Sequence, residues 1–219
     1  MSSKVITATY AVSTPLFSSG ADPDKPELRL PSFKGVLRYW WRALAWSRFQ
    51  GDLLRIEQEE RRVFGSSGSE GQSRVLMRLE IDEPGTELRS GELLAGNSRP
   101  GSSGAHPQGL YYLGYGLVHG GGRHAGCVMR GALVPPVRFR VEMLVTRNKI
   151  SEIAFETLVD ALKAIGLLGG MGARSRRGFG SLMLERLTIG DRSGSGDAEV
   201  LWRPPGSVEE LRSEIARLG

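Results

Sequence analysis

The sequence predicts an α+β fold, and three features of the 219-residue chain indicate it. Several segments alternate apolar and polar residues, which is typical of half-buried strands. Two longer segments carry apolar residues at spacings of three and four, which is typical of amphipathic helices. Hydrophobic residues make up 40% of the chain and charged residues 24%, which is enough for a packed core. We therefore expect one domain of ordinary size in which helices pack against a sheet.

The first strand and the first helix are the clearest elements of the N-terminal half. Residues 4–10 alternate and are rich in β-branched side chains, which predicts a strand. Residues 34–49 contain no proline and one glycine, so we expect a helix there with Ser32 as its N-cap. Its apolar residues fall on one arc, which predicts that this side is buried. The residues of the arc are Phe33, Leu37, Trp40, Trp41 and Leu44.

The middle of the chain predicts a short helix and two strands. Residues 51–63 prolong the helical pattern after a break at the first of them, Gly51. Alternation predicts strands at 74–81 and 137–145, and the second of these carries arginines on its outward side. Residues 96–109 are rich in Gly, Ser and Pro, which predicts a mobile loop.

The C-terminal half predicts a second amphipathic helix, a last strand and a short final helix. Residues 151–168 have helical apolar spacing, and Gly169 and Gly170 supply the stop. Residues 181–189 follow as a strand. Ser207 then opens the final helix, with Glu210 completing a capping box.

The predicted order is strand, helix, strand, strand, helix, strand. This βαββαβ order is the split βαβ pattern of ferredoxin-like and RRM-like domains, here with long loop insertions. We expect this domain to occupy residues 1–190 and a polar linker with the C-terminal helix to occupy residues 191–219.

Charge and cysteine content limit the classes of function. Lys and Arg number 29 against 24 Asp and Glu, and the isoelectric point is about 9.6, which favours a polyanionic partner. Cys127 is the only cysteine, so a disulfide-stapled secreted protein is excluded. The sequence contains no run of apolar residues long enough to span a bilayer and no pattern of a signal peptide. We therefore expect a cytoplasmic protein that does not enter a membrane.

The segment with the most chemical information is the glycine-rich loop, residues 169–180, which connects the second amphipathic helix to the last strand. Its glycines allow backbone to approach a ligand closely, and its arginines and exposed N–H groups suit phosphate oxygens. A flexible connector with solvated arginines is the alternative interpretation. The loop residues predicted to contact RNA are Gly170, Gly172, Arg174, Arg176, Arg177 and Phe179, the last as a face for a base.

A basic stripe on the first helix is a second candidate surface. Lys34, Arg38 and Arg42 follow one another at four-residue steps, and residues 34–49 contain no Asp or Glu. A stripe of one sign favours an anionic partner over a solvated face. Trp41 lies beside the stripe, where it stacks on a base or belongs to the core; its position on the apolar arc favours the core.

The sequence offers little that suits catalysis or metal binding. The three histidines and Cys127 form no pattern of closely spaced metal ligands, so we expect no metal site and no cofactor. Asp22 and Asp24 are weak candidates for acids. The histidines are His106, His119 and His124.

Three segments together resemble the RAMP superfamily of CRISPR proteins. They are residues 14–23, residues 30–43 and residues 170–181, and residues 112–116 are also similar to that family. The resemblance extends from Val5 to about Leu187, and within the superfamily it is strongest to the first subunits of type III-B Cmr effector complexes. Those subunits usually carry a second RAMP domain, whereas this sequence accounts for one.

The resemblance implies a ferredoxin-like domain whose glycine-rich loop contacts RNA. It implies that the chain is a non-catalytic subunit that contacts single-stranded guide RNA and target RNA beside other CRISPR effector subunits, in antiviral defence. The RNA contacts carried over are Lys34, Arg38, Arg42, Arg174, Arg176 and Arg177, and no residue is carried over as catalytic.

Two other functions stay open at this point. An endoribonuclease of the same superfamily that processes guide RNA also carries a glycine-rich loop, but such enzymes commonly use a histidine near the first helix, and this sequence has none before His106. Metal-independent cleavage through Tyr and Lys or Arg stays open as the alternative. A scaffold that docks neighbouring subunits through Trp46, Phe49 and the C-terminal helix is compatible with RNA binding.

Overall fold

Seven strands and five α-helices make up the described part of the chain, which in this computed structural model comprises residues 3–68, 71–94, 108–120, 122–192 and 198–218. The strands are β1 (Ser3–Val12), β2 (Val75–Glu83), β3 (Thr86–Leu88), β4 (Ala132–Val134), β5 (Val137–Thr146), β6 (Leu182–Asp191) and β7 (Glu199–Trp202). The helices are α1 (Leu30–Arg48), α2 (Leu53–Phe64), α3 (Gln108–Leu113), α4 (Glu152–Leu168) and α5 (Val208–Leu218). The α+β class that the sequence predicts is confirmed.

Five strands form one antiparallel sheet in the order β2, β5, β1, β6, β7. β1 lies at the centre, paired with β5 along one edge and with β6 along the other. β3 and β4 form a separate two-stranded sheet. β7, which the sequence did not predict, extends the main sheet by pairing with residues 187–189 of β6. The division of the chain at residue 190 stays a prediction.

The core lies between one face of the sheet and the helices α1 and α4. Strand alternation places Ile6, Ala8 and Tyr10 of β1 on that face, where none of them is exposed. The hydroxyl of Tyr10 donates to the carbonyl of Leu162 in α4 at 2.8 Å, which ties the central strand to the helix layer. Burial of this hydroxyl raises the pKa of Tyr10 well above its ordinary value.

Helix α1 begins earlier than the sequence suggested. Its N-cap is Arg29, in extended conformation and without a side-chain capping bond, so the prediction of Ser32 as N-cap is wrong. Pro31 fits the first turn because its missing N–H would have no helical partner there. The predicted apolar arc is confirmed, since Phe33 and Leu37 are fully buried and the others pack against the core.

Capping side chains set the start of the other long helices. Asp52 accepts from the backbone N–H of Arg55 at 3.1 Å and starts α2, which confirms the helix expected after Gly51. Ser151 accepts from the N–H of Ala154 at 3.2 Å and starts α4. Ser207 does the same for the N–H of Glu210 in α5 at 3.1 Å, as the sequence predicts.

A second, smaller hydrophobic cluster lies beside the main core. It joins the chain before α1 to the segment between β3 and β5 and to the glycine-rich loop. Its buried residues are Phe17, Leu94, Leu117, Val118, Val128, Ala132 and Phe179. Most of the loop predicted at 96–109 lies outside the described residues, and its last two residues begin α3.

Candidate nucleic-acid interface

The glycine-rich loop is fixed to the chain that follows β1. The backbone N–H of Gly180 donates to the carbonyl of Pro15 at 2.9 Å, and that of Ala173 donates to the carbonyl of Phe17 at 2.9 Å. The N–H of Ser181 donates to the hydroxyl of Thr14 at 2.9 Å. These bonds join positions more than 150 residues apart in sequence, so the loop is a folded part of the protein and its side chains have defined positions.

Two glycines allow this close packing. Gly180 has a φ of +58°, and a Cβ there would lie 2.0 Å from the carbonyl oxygen of Met171. Gly172 has a φ of +85°, and a Cβ there would lie 2.6 Å from the carbonyl oxygen of Phe17. The glycines at these two positions are therefore required by the fold of the loop itself.

The three arginines of the loop project toward two different parts of the protein. The guanidinium of Arg176 lies 5.6 Å from the centre of the Tyr39 ring on α1. Arg174 donates to the carbonyl of Tyr115 at 2.9 Å, and the Arg177 guanidinium lies 5.9 Å from the Tyr112 ring. All three side chains are exposed. A guanidinium carries five N–H donors, so these contacts leave donors for an anion.

A groove of about 600 Å³ separates the loop from the N-terminal half of α1. Its walls combine small residues, aromatic rings and one guanidinium. The residues that line it are Ser32, Gly35, Val36, Tyr39 and Trp40 from α1 and Leu168, Gly169, Gly170, Ser175 and Arg176 from the end of α4 and the loop. A Cβ at Gly35 would meet nothing within 4 Å, so the groove is open above this residue.

Tyr39 supplies the most exposed ring of the groove. Its side chain is 49% exposed, and its ring stands at 83° to that of Trp40, with the centres 5.6 Å apart. Tyr39 and Gly35 are not among the residues predicted from the sequence to contact RNA. The signal that could have found them is the spacing of Ser32, Gly35, Val36 and Tyr39, which share one helix face beside the buried arc and include two small residues.

The basic stripe of α1 faces α2 and not the groove. Arg38 donates to the carboxylate of Glu60 on α2 at 2.8 Å, and Arg42 lies 3.7 Å from the same oxygen. Lys34 donates to the carbonyl of Phe64 at 3.1 Å. Partial burial and the charge of Arg38 lower the pKa of Lys34. The stripe therefore has an acidic partner, Glu60, which the sequence did not reveal because it comes from another helix, and two cations, Arg38 and Arg42, share this one carboxylate.

Trp41 and Phe179 belong to the core. Trp41 is fully buried, and its indole N–H donates to the carbonyl of Ala154 at 3.1 Å. Phe179 is 4% exposed and packs edge-on against Phe17, with the ring centres 5.5 Å apart. The core position that the sequence favours for Trp41 is confirmed, and its alternative as a stacking ring is corrected. The expectation that Phe179 offers a face to a base is also corrected, since its ring has no face open to solvent.

The open face of the sheet is electrostatically balanced. Arg140 of β5 pairs with Asp82 at 3.0 Å and with Glu80 at 3.2 Å. Arg138 pairs with Glu185 at 2.9 Å. The basic side that the sequence predicts for this strand is thus neutralised by carboxylates of β2, which pairs with it, and of β6, which lies beyond β1. The cations of the glycine-rich loop instead contact carbonyls and rings.

The candidate ligands for chemistry are dispersed. The rings of His119 and His124 lie 5.9 Å apart, near the half-buried Cys127, and His106 lies outside the described residues. Within the described ranges, no three His, Cys, Asp or Glu side chains are grouped so that they could hold a metal ion. Asp22 accepts from the backbone N–H of Asp24 in an exposed turn at 3.0 Å.

No helix among the described residues is long and apolar enough to cross a membrane.

A mixed α+β domain with a fixed glycine-rich loop against its first helix is the class that the fold defines, and comparison with known proteins identifies the family. The RAMP superfamily model matches residues 9–183, and the chain belongs to this superfamily.

Two curated relatives come from Pyrococcus furiosus. The chain is 30% identical to the CRISPR system Cmr subunit Cmr1-2 over 184 residues, which cover 80% of this chain and 91% of that protein. It is 32% identical to the Cmr subunit Cmr1-1 over 165 residues, which cover 74% of this chain and 41% of that protein. The chain therefore spans most of one relative and less than half of the other.

Solved structures share the fold. The crystal structure of Cmr1 from Pyrococcus furiosus in its apo form matches 84% of this chain and 50% of its own, with a TM-score of 0.51 and 25% identity. A chain of the type III-B Cmr-beta complex bound to cognate target RNA matches 98% of this chain and 61% of its own, with a TM-score of 0.56 and 15% identity. The second likeness shows the fold alone.

Proposed function

We propose that this chain is a non-catalytic, RNA-binding subunit of a CRISPR type III-B effector ribonucleoprotein. Within the α+β fold we assign β1, α1, β2, β5, α4 and β6 to a ferredoxin-like unit. Their order along the chain and the sheet order β2, β5, β1, β6 support this assignment. The relatives named as Cmr subunits support the assignment to the complex.

The observation that carries the RNA-binding proposal is the groove between α1 and the glycine-rich loop. Proteins that hold single-stranded RNA combine cations that follow the phosphates with aromatic rings on which bases stack. The groove has this combination, since the half-exposed Tyr39 ring lies beside the Arg176 guanidinium. Arg174 and Arg177 extend the positive charge along the loop.

The lining of the groove argues against a nuclease. General acid–base cleavage of RNA needs a residue that can take or give a proton near neutral pH, most often a histidine. The ten residues that line the groove include no His, Asp, Glu, Cys or Lys. Tyr39 and Arg176 are its only ionisable residues, and both are better suited to binding.

The other residues predicted to contact RNA have smaller roles in this proposal. Lys34, Arg38 and Arg42 lie around the far side of α1 and would meet RNA only where it leaves the groove. Trp41 and Phe179 support the site from the core and do not touch RNA. Gly170 lines the groove, and Gly172 shapes the loop.

The partners that we propose are guide RNA, target RNA and other effector subunits, and the compartment is the cytoplasm. A chain related to Cmr subunits, with a net charge of +5, suits an assembly built on RNA. The single Cys127 fits a reducing compartment. The balanced open face of the sheet leaves the groove as the better site for a polyanion.

The test is binding of fluorescein-labelled single-stranded RNA to the purified 219-residue chain, measured by fluorescence anisotropy. Replacing Tyr39 by Ala should weaken binding about 5- to 150-fold, because stacking contributes about 1–3 kcal/mol per base. Trp46→Ala is the matched control, because Trp46 lies on the same helix, is 55% exposed and does not line the groove. Equal effects of the two variants would contradict the site, and cleavage of the RNA would contradict the non-catalytic role.

A further inference from the structure

Two tyrosines that the proposed groove does not include are among the most exposed rings of the described chain. The side chain of Tyr112 is 76% exposed and that of Tyr115 is 74% exposed. They lie three residues apart at the end of α3 and in the turn after it, so they can present neighbouring surfaces. Large apolar surfaces exposed together, with polar neighbours, are typical of a binding site.

The backbone that carries the two rings is firmly held. The N–H of Val118 donates to the carbonyl of Gly114 at 3.0 Å, and that of Met129 donates to the carbonyl of Leu117 at 2.8 Å. Leu117 and Val118 are buried in the same small cluster that holds Phe179 of the glycine-rich loop. The same buried cluster therefore fixes both the segment with the two tyrosines and the glycine-rich loop.

The two loop arginines other than Arg176 contact the segment that carries these rings. Arg174 donates to the carbonyl of Tyr115 at 2.9 Å, and Arg177 donates to the carbonyl of Tyr112 at 3.4 Å. The Arg177 guanidinium also lies 5.9 Å from the centre of the Tyr112 ring, and both guanidinium groups keep further N–H donors for phosphate oxygens. The combination of ring and cation at Tyr39 and Arg176 is thus repeated on another part of the loop.

A second groove of about 470 Å³ adjoins the rings. It is lined by a third tyrosine, by glycines and by an exposed methionine, which together form an apolar slot for flat groups. The residues of this lining are Tyr111, Tyr112, Tyr115, Gly116, Val118, His119, Gly120 and Met129.

We infer that Tyr112 and Tyr115 form a second nucleobase-binding surface, continuous with the first groove across the glycine-rich loop. A single strand of RNA would then stack one base at Tyr39, pass its phosphates over Arg174, Arg176 and Arg177, and stack further bases at the two tyrosines. The inference rests on the proposed RNA-binding function, and it adds that the chain binds an extended strand at two separate places. A short RNA would therefore occupy one of these two surfaces, and a long RNA would occupy both.

The experiment compares oligouridylates of about 4 and about 12 nucleotides, lengths that bracket the site sizes of single-strand binders. The proteins are the full chain, the double variant Tyr112→Ala with Tyr115→Ala, and the matched double variant with Phe at both positions. The Ala pair should weaken binding of the long RNA about 30-fold or more and change binding of the short RNA by less than about 3-fold. The Phe pair keeps the rings and should bind both lengths like the unmodified chain.

The outcomes separate this inference from the proposed function. If Tyr39→Ala weakens both lengths while the Ala pair weakens neither, the groove on α1 stands and the second surface is refuted. If the Phe pair loses as much affinity for the long RNA as the Ala pair, the tyrosines act through their hydroxyls and the stacking surface is refuted. If the Ala pair leaves RNA binding intact but prevents assembly with other effector subunits, the rings dock protein instead of bases.

Discussion

Removal of the three arginines of the glycine-rich loop should change how strongly RNA binding depends on salt. Each contact between a cation and a phosphate of single-stranded RNA contributes about −0.7 to the slope of log K against log salt. Arg174, Arg176 and Arg177 are all exposed and fixed along one loop, so replacing all three by Ala should make the slope less steep by about 2. Between about 50 and about 200 mM salt, the unmodified chain should therefore lose about 20-fold more affinity than the variant.

The assay is fluorescence anisotropy with labelled oligouridylate at four or more salt concentrations in that interval. The matched control removes the same charge elsewhere, by Ala at Arg203, Arg212 and Arg217. Arg203 directly follows β7, and the other two arginines lie in α5. They are distant from the loop, because β7 pairs with the end of β6 that is farther from the loop. An unchanged slope in the loop variant, or an equal change in the control, would refute direct phosphate contact by the loop.

Three further predictions concern the support of the site. Gly180→Ala should lower the melting temperature by more than Gly178→Ala, because both glycines have positive φ but only a Cβ at position 180 would lie 2.0 Å from a carbonyl oxygen. For Gly178→Ala we expect only the cost of the strained φ, which is about 1–2 kcal/mol, or about 2–8 °C in a domain of this size. Trp41→Ala should lower the free energy of unfolding by about 3–5 kcal/mol in urea titration, while the exposed Trp46→Ala should change it little. The pKa of Tyr10 is raised in the folded protein, so the unfolded chain loses this proton at lower pH than the folded chain does. The free energy of unfolding should therefore fall as pH rises above about 10. In urea titrations at pH 8 and above, this free energy should fall less steeply with pH for Tyr10→Phe than for the unmodified chain.

Much of the fold could be predicted because the long elements carry their own pattern. The strands β1, β2, β5 and β6 alternate over nine or ten residues, and α1 and α4 have a continuous apolar arc. The strands β3, β4 and β7 have three or four residues, which is too short for alternation to distinguish them from loop. The start of α1 was misplaced because Pro31 determines the first turn and Ser32 does not.

The candidate site was predictable in its chemistry and not in its arrangement. The sequence indicated a cationic glycine-rich loop, and the structure places Arg176 of this loop against α1. The pairing of Arg38 with Glu60 joins residues 22 positions apart, and no local sequence pattern predicts it. The burial of Phe179 depends on Phe17, a partner more than 150 residues away. Such contacts decide which side chains are left for a ligand.

Photo-crosslinking with RNA that contains 4-thiouridine tests whether RNA lies in the groove between α1 and the glycine-rich loop, because it reports which residues touch a base. The full chain is irradiated with bound RNA, digested and analysed by mass spectrometry. We expect crosslinks in residues 32–40 of α1 and in residues 169–180 of the loop. Crosslinks confined to the open face of the sheet, around Arg138 and Arg140, would contradict this expectation.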